Sequence, residues 1–159
     1  MFARCSPRSL RGAGGREFSS QEGVIVYTLH PIGRVHSTLT GRDNAPKQGD
    51  EGAPEAWLEF VAEVESGLRD LQRGDHVLVL TWLHRADRAT LRVHPRDEAS
   101  APLKGVFSTR SADRPNPIGL HRVEIVEVAS ATRLRVAALE ALDGTPILDI
   151  KPVLDHRPS

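Results

Sequence analysis

The chain has 159 residues, 39% of them hydrophobic and 26% charged, and its formal net charge is zero. This is ordinary composition for one globular domain with a single core. No apolar stretch approaches the roughly 20 residues that cross a bilayer, and the one cysteine, Cys5, excludes an internal disulfide and a cysteine-built zinc cage. The expected setting is reducing and cytoplasmic, without membrane contact.

The zero net charge hides a sorted distribution. Residues 1–20 carry Arg4, Arg8, Arg11 and Arg16 against Glu17, so they are net +3 and the remaining chain is net −3. Asp50 to Asp70 holds seven acids and one base, whereas Trp82 to Arg122 holds eight bases and four acids. Two readings fit: two solvated faces of opposite sign, or a basic patch that meets phosphates.

Residues 1–22 are rich in Arg, Ser and Gly and poor in large apolar residues, so they cannot build a core. A disordered or non-native extension and a mitochondrial transit segment both match this composition. A secretory signal does not, because no apolar segment of about 7 to 15 residues follows the arginines. The domain is expected over residues 23–155.

In chain order, Val24–Thr28 and Ile32–His36 read as strands broken by Pro31 and Gly33. Thr40–Pro54 is a long polar loop, a length that usually carries function. Trp57–Val61 reads as a strand. Val64, Leu68 and Leu71 then share one face of a short predicted helix weakened by Gly67. Gly74-Asp75 is a turn. His76–His84 contains the run VLVLTWL, expected where both faces of a strand are covered. Thr90–His94, Gly105–Thr109, Leu120–Val128, Arg133–Leu139 and Pro146–Ile150 complete the predicted strands. Roughly seven to nine strands with one short helix point to a mainly β fold, a small closed or nearly closed barrel. The βαβ alternation of a Rossmann fold is missing.

Three segments stand out chemically. In GVFSTRSADRPNPIGL, from Gly105 to Leu120, two prolines stiffen a loop that carries Arg110, Arg114 and Asn116. Such a loop suits a carboxylate, a phosphate or a base edge, and equally a rigid strand connection. Gly119 permits a close backbone approach or a positive φ. Asp143-Gly144-Thr145-Pro146 is a hairpin turn, or a site where Asp143 and the Thr145 hydroxyl hold a ribose or an ammonium. His84-Arg85 ends the most apolar strand, where a rim histidine is either structural or part of a site. The seven histidines show no metal spacing, and GxSxG, Walker A and GxGxxG motifs are missing.

From Leu29 to Leu154 the sequence resembles the TsaA-like (YaeB-like) family, whose characterised members are tRNA methyltransferase O. The match runs through PIGRVHS, the Gly67–Leu71 segment and the strand ending at His84, and is most specific at GVFSTRS-x-DRPNPIGL and DGTPILDIKP. The resemblance implies a non-Rossmann β-barrel methyltransferase that uses S-adenosyl-L-methionine. It also implies a homodimer and methylation of N6 of N6-threonylcarbamoyladenosine beside the tRNA anticodon. Its cofactor contacts fall on Pro46, Lys47 and Gln48; on His84 and Arg85; on Arg110 and Leu120; and on Asp143, Gly144, Thr145 and Pro146. Lys47 and Arg85 replace the family's Arg and Gln. Arg114 and Asn116 are candidate substrate contacts, and no general base is assigned. The family's best-known bacterial members carry a C-terminal extension beyond the stretch matched here. Two alternatives therefore stand beside the tRNA reaction: methylation of another acceptor, and non-catalytic binding of the cofactor.

Overall fold

The computed structural model describes residues 27–154. The readings made on residues 1–22, and Val24 to Val26 of the first predicted strand, lie outside the described residues. Among the described residues eight strands form: β1 (Gly33–His36), β2 (Ala56–Phe60), β3 (His76–Trp82), β4 (Arg92–Val93), β5 (Lys104–Gly105), β6 (Ile118–Ser130), β7 (Arg133–Val136) and β8 (Pro146–Pro152). One short helix, α1 (Glu65–Leu68), joins them. Six strands close into an antiparallel barrel in the order β1-β2-β7-β6-β3-β8, and β4 pairs with β5 alone.

Alternation explains the barrel. On β6 the inward positions are Gly119, His121, Val123 and Ile125, and on β2 they are Ala56, Leu58 and Phe60. Val35, Leu58, Val77, Val79, Ile125, Leu134, Val136, Leu139 and Ile147 are fully buried and fill the interior. Each such side chain stabilises the fold by about 1.5–3 kcal/mol. Register shifts between β6 and β7, and between Leu80 and Thr81 of β3 against β8, bend the strands enough for six to meet in a ring.

Several expectations shift in detail. β3 is not covered on both faces: Val77, Val79 and Thr81 are buried, while Leu78, Leu80 and Trp82 are half-buried on the outside. Gly105–Thr109 is not a strand. Val106–Ser108 forms a 3-10 turn, because the Ser108 and Thr109 hydroxyls donate to the carbonyls of Gly105 and Val106 at 2.8 Å each. The Thr90–His94 strand shrinks to Arg92–Val93, since Asp87 captures the Ala89 amide and the Thr90 hydroxyl. The strand expected over Arg133–Leu139 stops at Val136, and Ala138 turns the chain at φ 52°. α1 is shorter than the predicted helix, yet its apolar face is the expected one: Leu68 is buried and Val64 and Leu71 pack on the core. The Gly74-Asp75 turn forms, with Gly74 at φ 93°. Among the described residues no helix is long and apolar enough to cross a membrane.

Candidate functional site

The register places one set of strand ends together. β1, β3 and β7 end where β2, β6 and β8 begin: His36 pairs with Trp57, Ala56 with Val136, and Trp82 with Ile118. The connections 37–55, 83–117 and 137–145 therefore all spring from one rim. Pro46, Lys47, Gln48, His84, Arg85, Arg110, Asp143, Gly144 and Thr145 lie in these loops, and Leu120 and Pro146 sit in the first residues of β6 and β8. Segments up to about a hundred residues apart in sequence share a mouth because the strands alternate in direction.

Polar contacts knit the three loops. Arg85 donates to the Thr40 carbonyl at 2.8 Å, and Arg42 donates to the Arg85 carbonyl at 3.2 Å and to Asp113 at 2.8 Å. Asp113 also accepts the Asp87 amide at 2.7 Å. The hydrogen bond from Arg42 holds the Asp113 carboxyl below its ordinary pKa, against the opposing effect of burial. Arg96 pairs with Glu51, and its hydrogen bond lowers the Glu51 pKa. In the third loop the Asp143 carboxylate accepts the Ser37 amide at 3.1 Å, and the Asp143 amide donates to Leu39 at 2.7 Å. Gly144 takes φ 74°, which an L side chain adopts only under strain, and donates to the Val35 carbonyl at 2.8 Å. Thr145 is buried, so its side chain faces the barrel rather than solvent.

Arg110 is exposed and donates one N–H to the Leu120 carbonyl at 2.8 Å. A guanidinium has five donors, so this bond aims the group without exhausting it. Arg114 behaves differently. Its guanidinium donates to the Ser111 and Thr109 carbonyls at 2.7 Å each and to Val106 at 3.4 Å. It braces its own loop and so supports Asn116, which is exposed at the tip. His84 is exposed just past β3, and Pro46 is half-buried with Lys47 and Gln48 exposed beside it.

Sequence reasoning missed a polar chain under the rim. The Thr81 hydroxyl lies 2.9 Å from His121 Nε2, and His121 Nδ1 lies 2.7 Å from Glu140 Oε1. Burial alone would raise the Glu140 pKa. The hydrogen bond and attraction of His121, its own backbone amide and the charge of Arg110 carry it below the ordinary carboxylate value instead. An ionised carboxylate only accepts, so His121 donates from Nδ1, while its Nε2 meets the Thr81 hydroxyl. Gly119 makes room for this chain: a Cβ there would lie 2.4 Å from Thr81 Oγ1 and 2.6 Å from His121 Nε2. The close approach expected at Gly119 is real, and its φ is not positive. The inward phase of β6 was the available signal for His121; nothing local marked Glu140.

A hollow of about 420 Å³ between His36, Trp57, Arg135 and Asp143 opens on the flank of the mouth. A larger one, about 600 Å³, lies among Leu71–Arg73 and Val126–Val128 near the opposite end and touches none of the candidate residues. Size and chemistry thus disagree, and the polar convergence at the mouth is the better guide, because binding needs donors and acceptors as well as volume. Among the described residues no group of three His, Cys, Asp or Glu could hold a metal ion.

Fold and mouth together define a small closed β-barrel with a polar, loop-built site at one rim. The profile of the tRNA-methyltransferase O N-terminal domain matches residues 34–157, and the chain belongs to that family. It is 43% identical over 124 residues to a probable S-adenosyl-L-methionine-binding protein of Methanothermobacter thermautotrophicus, covering 78% of this chain and 88% of the relative. It is 44% identical over 123 residues to an S-adenosyl-L-methionine-binding protein of Archaeoglobus fulgidus, covering 77% and 86%. A crystal structure of TrmO from Pseudomonas aeruginosa superposes with a TM-score of 0.65 at 31% identity, covering 82% of this chain and 57% of that one. Another TrmO crystal structure gives a TM-score of 0.66 at 34% identity, covering 82% and 58%. The chain thus spans somewhat under three-fifths of these two solved proteins.

Proposed function

We propose that this protein binds S-adenosyl-L-methionine at the barrel mouth and methylates N6 of N6-threonylcarbamoyladenosine next to the anticodon of tRNA, in the cytoplasm. The observation that carries the reading is the convergence of Pro46–Gln48, His84-Arg85, Arg110, Leu120 and Asp143–Pro146 on one rim. The family and the names of the relatives support the cofactor and the reaction class.

The donor set fits this cofactor. Arg110, aimed by Leu120, offers free N–H groups to a carboxylate, either the cofactor's or that of the substrate's threonyl group. Asp143, half-exposed and fixed by the Ser37 amide, offers an acceptor to ribose hydroxyls or an ammonium. The Thr145 hydroxyl faces inward, so this part of the polar grip falls mainly on Asp143 and the backbone of Gly144. Leu120 and His84 wall the apolar and base portions, and Pro46–Gln48 cover the site. When bound, the cofactor supplies an activated methyl group. The chain's residues orient the two partners and exclude water. The acceptor nitrogen stands between adenine and a carbonyl, so its proton is more acidic than that of a plain amine. Asn116 and the Arg114-braced loop present a base reader with few phosphate contacts, which suits the unstacked bases of an anticodon loop.

The protein acts as a homodimer in this reading. Phe107 is 77% exposed, and Ile118 and Leu120 are 42% and 45% exposed beside Arg110. A second copy would cover apolar surface that a monomer leaves in water.

The test uses methyl-labelled cofactor and two tRNA pools, one with and one without the threonylcarbamoyl group. Label in the modified pool alone is the expected result. Transfer to both pools would point to another acceptor. Binding without any transfer would point to a non-catalytic cofactor-binding module.

A further inference from the structure

We infer that Glu140 faces the cofactor's sulfonium, so that the protein distinguishes S-adenosylmethionine from its demethylated product by charge. The inference rests on the cofactor reading above and adds a residue to it.

Glu140 lies close to several of the candidate segments. Its Oε1 is 2.7 Å from His121, the residue after Leu120. Its Oε2 would stand 3.4 Å from a Cβ on Gly49, the residue after Gln48. It lies three residues before Asp143, in the same loop, and the charge of Arg110 acts on it. The cofactor branches at sulfur into an adenosine half and a methionine half. Residues that hold its ends must surround its centre, and Glu140 lies beside three of these segments and within the field of Arg110.

The carboxylate is built to serve there. Its side chain is 20% exposed, out of bulk water but not sealed from the mouth. An ionised carboxylate has about four acceptor positions. His121 and the residue's own amide occupy some, so capacity remains. His121, held from below by Thr81, fixes its orientation. Its lowered pKa keeps it anionic at neutral pH. Opposite charges in a partly desolvated site attract far more than in water. After methyl transfer the sulfur is a neutral thioether and that attraction is gone, which favours release of the product.

The experiment is calorimetric titration of the full chain and of Glu140→Gln with S-adenosylmethionine and with S-adenosylhomocysteine, at neutral pH. The variant keeps the side chain's shape and removes its charge. The wild type should prefer the sulfonium ligand by about tenfold, the scale of a charge-assisted contact. Glu140→Gln should lose that preference while its affinity for the thioether changes little. Equal weakening of both ligands would assign Glu140 a structural role and overturn the inference, as would a preference that survives the substitution. Should the variant not fold, the wild type is titrated with an analogue carrying an amine in place of the sulfonium. Binding of that cation no tighter than the thioether overturns the inference, and tighter binding supports it. Wild-type protein that binds neither nucleoside overturns the cofactor reading itself, an outcome distinct from equal binding of both, which overturns only the role of Glu140.

Discussion

The two ends of the barrel are built on different principles. At the far end the β6–β7 connection is the two-residue turn 131–132, and α1 inserts Leu68 with Val64 and Leu71 against the core. At the mouth, three long loops are joined by Arg42, Arg85 and Asp113 and by the Thr81–His121–Glu140 chain. Apolar closure at one end supplies stability without specificity. Polar closure at the other supplies fixed charges and open donors, at the cost of desolvating them. The lesson is a division of labour: substitutions at the far end should act on folding, and those at the mouth on binding.

The largest expected effect tests the far end. Leu68→Ala removes a buried side chain and should lower stability by about 3 kcal/mol, read as a shift of the denaturant midpoint. Cofactor affinity of the folded fraction should be unchanged; a loss of affinity would break the comparison. Next is Gly119→Ala, which places a methyl group against Thr81 and His121. It should cost about 2 kcal/mol and, unlike Leu68→Ala, weaken cofactor binding too, because it displaces the strand whose Leu120 carbonyl aims Arg110. Gly67→Ala, where a Cβ meets open space, is the control and should be neutral or better. Arg110→Ala should lower cofactor or substrate affinity about tenfold with little change in melting temperature. Full binding and turnover by this variant would remove Arg110 from the site.

The smallest effect is acid sensitivity at the mouth. The folded-state pKa of Asp113 is depressed by Arg42. Its contribution to stability is therefore complete above the unfolded carboxylate value of about 3.9. It is lost as pH falls through the lower folded value. Melting temperatures measured from pH 7 down to about pH 3 should show a shallower acid decline for Asp113→Asn than for wild type. Identical acid slopes would mean that the Arg42 pair does not stabilise the loops.

Much of this was legible in the sequence, for reasons that also mark the limits. β-Rich runs bounded by turn residues located β1, β2, β6 and β7, and the Gly74 and Gly144 turns carried their own chemistry. The motif residues were visible as unusual segments, and their meeting at one rim follows once the strands alternate in direction. Glu140 was not legible. Its place comes from the contact with His121, 19 positions away, from its nearness to Gly49 and from the charge of Arg110, and long-range pairing leaves no local trace. Gly105–Thr109 misled because Val, Phe and Thr favour strands, whereas the hydroxyls of Ser108 and Thr109 bond to the preceding backbone. The charge of Arg114 was visible in the sequence, and the carbonyls of Thr109 and Ser111 that engage it were not.

The closure of β1 against β8 carries one more consequence. The first and last strands of the ring are neighbours, Gly33 opposite Ile147, and β8 runs away from the mouth to end at Pro152, opposite Val77. A polypeptide fused after Pro152 starts from the far side of the barrel. Appendages can therefore be added, exchanged or trimmed there without passing over the mouth, so the barrel behaves as a cartridge that different chains can carry.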